Sequence, residues 1–187
     1  MFWLGERKMN YKIRKIKISD YKKVKKIYLS SFIEKNRFPI IKLLVNVVLK
    51  KADVFVLSIE KDIISFLYSI NYNDESFILY LAVKEEYRNL GIGTHLLDWY
   101  LKTNCNKEIY LNIDEVNKKY SDYELRKKRL NFYLKNNFYN TNYISVYGDS
   151  IGNILSNKIN FDPEKYKLLD KKISRWFLCP EDEIMKS

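Results

Sequence analysis

The run Arg88-Asn89-Leu90-Gly91-Ile92-Gly93-Thr94 carries the clearest chemistry in the chain. There are only five glycines in all, and two of them stand two residues apart here. The pattern from Phe77 to Lys84 predicts a strand just before the run. Leu96, Leu97, Tyr100 and Leu101 fall on one face of a helix predicted from Gly93 to about Lys102. Glycines at such a turn leave bare backbone at a helix N-terminus. Free N–H groups and the helix dipole attract an anion there, so the run reads as a phosphate cradle. Two common phosphate motifs are excluded. G-x-G-x-x-G fails because position 96 is Leu, and the P-loop fails because no Gly-Lys-Ser/Thr follows. What remains is R-x-x-G-x-G. The only histidine, His95, rules out a multi-histidine metal site, no metal is expected, and its place in the helix reads as structural. Cys105 and Cys179 match no metal or redox spacing, and they read as reduced thiols of a cytoplasmic protein.

The elements that must position this loop follow from periodicity and turn residues. Tyr11 to Ile18 predicts a first strand. Ser19 or Asp20 then caps a helix carrying Val24, Ile27, Tyr28, Ser31 and Phe32. Pro39 opens a second helix with the stripe Ile40, Leu43, Leu44, Val47 and Val48. Three strands follow, Asp53 to Ile59, Ile63 to Tyr72 and Phe77 to Lys84. The short polar links Glu60-Lys61-Asp62 and Asn73-Asp74-Glu75 make them an antiparallel meander. After the loop and its helix comes a strand, Glu108 to Asp114. A strand–helix–strand unit of this length implies a parallel pair with a right-handed crossover. A basic helix from about Asn117 to Asn136 follows, its inner face holding Leu125, Leu130, Phe132 and Tyr133. Tyr143 to Tyr147 and Ile151 to Leu155 form a last hairpin across Gly148-Asp149-Ser150. Asp162-Pro163 starts a short C-terminal helix, with a tail to Ser187. Length and a hydrophobic share of 47% fit one domain over residues 1–187. Residues 1–8 read as a dispensable extension ahead of an alternative start at Met9.

In this context R-x-x-G-x-G resembles the signature of the GNAT N-acetyltransferase superfamily, Q/R-x-x-G-x-G/A, met here by Arg88, Gly91 and Gly93. The lead-in Leu81-Ala82-Val83-Lys84-Glu85-Glu86-Tyr87-Arg88 is similar to the end of the family's fourth strand. Phe132-Tyr133-Leu134-Lys135-Asn136-Asn137-Phe138 is similar to a second family motif. Element order from Tyr11 to about Leu155 also fits. The resemblance implies a mixed α+β GNAT fold. Its central sheet is mostly antiparallel, of six to seven strands with strands 4 and 5 parallel, flanked by helices. It also implies roles. Backbone amides of Arg88, Asn89, Leu90, Gly91, Ile92, Gly93 and Thr94 hold the pyrophosphate of coenzyme A. Main-chain groups of Leu81, Ala82 and Val83 bond to the pantetheine arm. Tyr133 protonates the departing thiolate. Glu34, Asp114 and Glu115 border the amine acceptor and, with Tyr80, are the candidates for the base. The chain departs from the family at Glu85, where Pro is frequent, and at Arg126 and Arg129, where Asn and Ala are usual. Either arginine offers a coenzyme A phosphate a guanidinium. Asn137 replaces a glycine, and Asn is the next-best residue for a left-handed helix end. Glu34 to Pro39 and Arg126 to Phe138 resemble a poorly characterised bacterial subgroup.

The implied activity is acetyl-CoA-dependent N-acetylation of a small-molecule or peptide amine. The amine attacks directly in a ternary complex, with no acyl-enzyme, in a monomer or homodimer. No apolar run approaches the roughly 20 residues that span a bilayer, so no membrane partner is expected. The formal net charge is +11, which suits a polyanionic partner without naming it. Two alternatives stay open: a nucleic-acid or ribosome-associated module using the basic helix from Lys118 to Lys135, and a GNAT domain that binds coenzyme A without catalysis.

Overall fold

This computed structural model describes the backbone of residues 2–4 and 7–187, and side chains from Asn10 onward. The expected extension over residues 1–8 falls partly on Met1, Gly5 and Glu6, which lie outside the described residues. Around them, β1 (Phe2–Leu4) and β2 (Arg7–Met9) pair antiparallel. Then come β3 (Tyr11–Lys15), α1 (Tyr21–Ser31), α2 (Ile40–Val48), β4 (Ala52–Ile59), β5 (Asp62–Tyr72) and β6 (Glu75–Val83). The remaining elements are α3 (Ile92–Thr103), β7 (Glu108–Asp114), α4 (Tyr123–Lys135), β8 (Tyr139–Tyr147), β9 (Ser150–Ser156), α5 (Pro163–Phe177) and β10 (Glu183–Lys186). The mixed α+β architecture is the expected one. An eight-stranded sheet runs β10-β8-β9-β7-β6-β5-β4-β3. Its parallel pair is β6 and β7, the family's strands 4 and 5, with Glu75 opposite Glu108 and Phe77 opposite Tyr110. Contacts gather into two compact units, Met1–Ile70 with Ile78–Asn104, and Asn71–Phe77 with Cys105–Ser187. No helix among the described residues is long and apolar enough to cross a membrane.

In the first unit, β4 and β5 are buried along nearly their whole length. Strands covered on both faces lose the in–out alternation and read as continuous apolar runs. The two faces meet different helices. Phe55 packs its ring against Trp99 and Tyr100 of α3, at 5.0 and 5.7 Å. Val54, Phe66 and Tyr68 line a cavity with Val24 of α1 and Leu43 and Val47 of α2. Asp20 is not the side-chain cap expected for α1. Its carboxylate turns back to accept both Arg14 Nη groups, at 2.6 and 3.1 Å, and the Lys17 N–H at 2.8 Å. The Arg14 guanidinium holds this buried carboxyl below its ordinary range. The stripe expected for α2 is half right. Leu43 is buried, but Leu44 and Val48 are 37% and 80% exposed, and Asn46 takes a buried place instead.

In the second unit, α4 starts six residues later than expected. Asn117 turns the chain first, its side chain accepting the Lys119 N–H at 3.1 Å. The helix buries no residue fully, and Leu125, expected inside, is 58% exposed. The β8–β9 hairpin is tighter than expected, since Tyr147 pairs directly with Ser150 across Gly148-Asp149. Asp162 caps α5 by accepting the Glu164 and Lys165 N–H groups, as its sequence position implies, but the helix is 15 residues long rather than short. The tail beyond it forms β10, an edge strand on β8. The Tyr166 hydroxyl of α5 donates to Asn112 Oδ1 at 2.9 Å, and Asn112 Nδ2 donates to Ser145 Oγ at 2.8 Å. The Asp182 N–H donates to Asp170 Oδ2 at 2.9 Å, which ties the tail to α5.

Burial pushes the Asp170 carboxyl up to about 7, and the Asp182 carboxyl adds to the rise. The unfolded chain ionises this group near the ordinary value of about 4. Between the two values the folded state keeps a proton that the unfolded state has lost. Stability therefore falls as pH rises from about 4 to 7, then levels off. Asp170→Asn keeps an oxygen for the Asp182 N–H and removes the loss. We expect it to raise Tm by roughly 2–8 °C at pH 8 and to change it little at pH 4, in thermal melts followed by circular dichroism.

Candidate active site

Where β6 ends is set by two contacts. The Lys84 N–H donates to the Ile64 carbonyl at 2.8 Å, and Lys84 Nζ pairs with Asp62 at 2.5 Å. A 3-10 turn over Glu85–Tyr87 follows, and Arg88 is extended again. Asn89 then adopts φ +61° and Gly91 φ +76°. Gly91 is the N-cap of α3, and the first intrahelical bond runs from the His95 N–H to the Gly91 carbonyl at 3.0 Å. That leaves the N–H groups of Ile92, Gly93 and Thr94 without an intrahelical acceptor. Left-handed residues ahead of a helix start curve successive N–H groups toward one side, which makes an anion-binding concavity. No acidic side chain occupies the first turn of α3 to take up its dipole.

The residues of the run divide their work. Ile92 is 1% exposed, so its side chain anchors the loop in the core and only its N–H faces duty as a donor. Gly93 lies in the first helical turn, where its value is the missing side chain and not an unusual backbone angle. Arg88 is exposed and reaches the Val83 carbonyl at 3.4 Å. The His95 ring stacks on Tyr11 at 5.2 Å, and burial holds its pKa below the ordinary value. Upstream, Leu81 and Val83 are half-buried. Ala82 is buried, and its carbonyl accepts the Ser65 hydroxyl at 2.8 Å.

The same unit holds Glu34, which is exposed and opens the 3-10 turn Glu34–Asn36 between α1 and α2. Tyr80 fastens this segment. Its hydroxyl donates to the Asn36 carbonyl at 3.1 Å and accepts the Phe38 N–H at 3.0 Å. The Tyr28 hydroxyl donates to the Phe38 carbonyl at 2.9 Å and lies 3.2 Å from the Tyr80 hydroxyl. Burial raises the Tyr80 phenol above its ordinary pKa. A hydroxyl with both roles engaged fastens the segment. This fastening role is not visible in the sequence, because what Tyr80 holds lies more than forty residues away in the chain.

The second unit holds Tyr133, Asp114 and Glu115. Asn136 and Phe138 both donate their N–H groups to the Tyr133 carbonyl, at 2.9 and 3.1 Å. This closed turn needs Asn137 at φ +63°, so Asn does stand in for glycine there. Burial pushes the Tyr133 phenol up to about 12, against the opposing charge of Arg129. Asp114 pairs with Arg129. Glu115 accepts the Tyr120 hydroxyl at 2.8 Å and pairs with Lys119 at 2.8 Å, and Lys119 holds its carboxyl below the ordinary range. Arg126 pairs with Asp122 at 2.6 Å, donates to the Glu115 carbonyl at 3.0 Å and covers the Tyr120 ring at 3.9 Å. Both arginines of the departing motif are thus spent inside the protein.

Comparison with known proteins agrees with this layout. Residues 50–140 match a family model described as an acetyltransferase (GNAT) domain. Among curated proteins none matches the chain in sequence. Among solved structures the chain is similar to a protein of Bacteroides thetaiotaomicron described as a GNAT-family acetyltransferase. The TM-score is 0.69 at 19% identity, over 87% of this chain and 96% of that one. It is also similar to an aminoglycoside 6'-N-acetyltransferase complexed with coenzyme A, with TM-score 0.64 and 15% identity, over 81% and 99%. A third is Naa50 of Arabidopsis thaliana in complex with the bisubstrate analogue CoA-Ac-MVNAL, with TM-score 0.61 and 18% identity, over 78% and 97%. These likenesses are of fold. With the family match over residues 50–140 and the R-x-x-G-x-G loop at the start of α3, they give the chain the GNAT fold, with a segment similar to a GNAT acetyltransferase domain.

Proposed function

We propose that the protein is an N-acetyltransferase that moves an acetyl group from acetyl-CoA to a primary amine by direct attack in a ternary complex. The carrying observation is the loop at Gly91, where unpaired N–H groups meet a helix N-terminus with no acidic residue of its own. That donor set fits a pyrophosphate. Coenzyme A supplies the acetyl group as a thioester, which an amine can cleave.

The chain's residues would do the rest. The N–H groups of Asn89 to Thr94 hold the phosphates, with Arg88 contributing its side chain because its N–H is already given to the Glu85 carbonyl at 3.1 Å, and the backbone of Leu81, Ala82 and Val83 aligns the arm. Tyr133 gives its proton to the departing sulfur. Its raised pKa keeps the phenol protonated at any working pH, although it also makes the phenol a weaker acid. Glu34, Asp114 and Glu115 bind the acceptor. Glu115 stays charged, so it suits holding an ammonium more than removing a proton. The engagement of Arg126 and Arg129 with carboxylates weakens the rival reading of α4 as a nucleic-acid helix. In the test, the full chain is incubated with acetyl-CoA and a panel of amines while free thiol is followed. We expect thiol release that needs an amine, and coenzyme A binding by calorimetry. Failure of both would sink the reading.

A further inference from the structure

Three arginines among the described residues pair with carboxylates, while Arg88 and Arg175 are exposed to water. Arg14 holds Asp20, Arg126 holds Asp122 and Arg129 holds Asp114. Arg37 does neither. It is half-buried, and its Nε is closed off from solvent with no hydrogen-bond partner. No carboxylate among the described residues forms an ion pair with it. A guanidinium N–H shut away from water and left unpaired is unfavourable, and an anion on the open side of the guanidinium compensates the charge.

The backbone around Arg37 is fixed although its side chain is not paired. The Arg37 N–H donates to the Glu34 carbonyl at 3.0 Å. The residue before it is held through its carbonyl by Tyr80, and the residue after it is held by Tyr80 and Tyr28. The Arg37 charge is close enough to both phenols to oppose the rise that burial gives them. Their hydroxyl protons are committed to carbonyls, so neither phenol serves as its counterion. Tyr28 and Tyr80 also line an apolar cavity of about 50 Å³, with Val24, Ile40, Leu43 and Phe66. The segment thus holds the backbone on both sides of a half-buried planar cation that has no carboxylate partner among the described residues. A planar fork suits a carboxylate.

We propose that Arg37 is an anion subsite for the acceptor, so that the amine acetylated by this enzyme also carries a carboxylate. This rests on the N-acetyltransferase reading above. In the reaction the amine nitrogen bonds to the acetyl carbon as the carbon–sulfur bond breaks. The amine's proton goes to solvent and the sulfur leaves as the thiol. The carboxylate takes no part in bond making and only holds the acceptor.

The test uses the full chain and a matched pair of amines, L-leucine and 3-methylbutylamine, which share a skeleton and differ by the carboxylate. They also differ in amine basicity, so the quantity read is the change in their kcat/KM ratio between the parent and Arg37→Gln. We expect the preference for leucine to fall by about 30-fold in Arg37→Gln, mostly through KM, and to be partly kept in Arg37→Lys. In parallel, 4-methylpentanoate, an acid with no amine, is titrated into the protein without coenzyme A. Its binding should be lost in Arg37→Gln. Because the side chain has no partner, Arg37→Gln should not lower Tm. An unchanged ratio together with unchanged acid binding overturns the proposal. So does an equal loss of coenzyme A affinity, or a fall in Tm like that of a paired arginine. If neither amine releases thiol and coenzyme A does not bind, the function reading fails, and acid binding alone then decides the subsite.

Discussion

Tyr133→Phe should lower kcat for acetyl transfer by about 10²–10³-fold while leaving the affinity for coenzyme A within a few-fold. The phenol is half-buried, and its pKa is pushed up to about 12. Such a group is protonated throughout the working range, so in the proposed reaction it can act only as a proton donor, and a weak one. Removing the hydroxyl leaves the packing in place. The ring stays edge-on to Phe132 at 5.1 Å and to Phe138 at 5.8 Å, and the turn after α4 is held by the Tyr133 carbonyl, which Phe keeps. Tm should therefore hold. The pH profile adds a second check. With the phenol this high, it should cause no falling limb in kcat between pH 7 and 10. A kcat within threefold of the parent would show that the proton comes from elsewhere, such as water. A falling limb near pH 8 that vanishes in Tyr133→Phe would contradict the raised pKa.

The parts of this protein that were legible in its sequence are those with local causes. β7 spans Glu108–Asp114 as expected because its short apolar run is bounded by polar residues on both sides. The start of α5 was visible because Asp162 and Pro163 are a cap and a first-turn residue, which act within three residues of themselves. Asn137 was readable for the same reason: the helix end needs a left-handed residue, and few residue types supply one. The errors came where partners are distant. Leu125 looked like core by spacing, yet the covered face of α4 runs through Tyr123, Arg126, Leu130 and Tyr133, all half-buried, and leaves Leu125 outside. Asp20 looked like a cap until Arg14, six residues earlier, claimed its carboxylate. β10 is a short polar strand held by backbone pairing to β8, and backbone pairing leaves no mark on composition.

The candidate site divides along the same line. The glycine loop is a local device and could be read from seven residues. Arg37 could not, because its meaning is the absence of a partner, and only the folded chain shows who lacks one. Tyr80 could be named but not understood, since its two bonds reach back to Asn36 and Phe38. A proposed acceptor site assembled from several segments therefore stays dark in a sequence whose glycine loop is plain.

Gly91→Val should raise KM for acetyl-CoA by at least tenfold, and Gly91→Asn should do nearly as much. Backbone strain alone does not explain a glycine at this position. This chain places side chains at positive φ at Glu60, Asn73, Asn89, Asn137 and Asn142, among others. It plainly tolerates Asn in the left-handed region. Nor does internal crowding explain it, since a Cβ at Gly91 would meet only the His95 ring, at an ordinary 4.0 Å. What a Cβ would occupy is the exposed side of the loop, where the unpaired N–H groups must approach the phosphates. The two variants separate the causes. Valine adds both strain, about 1–2 kcal/mol for a left-handed residue, and bulk. Asparagine adds bulk with little strain. If Gly91→Asn binds coenzyme A like the parent while Gly91→Val does not, the glycine serves only the turn. If both lose binding by a similar factor, with Tm lowered only in Gly91→Val, the bare backbone itself is the binding surface. We expect the second result from paired calorimetric titrations and thermal melts.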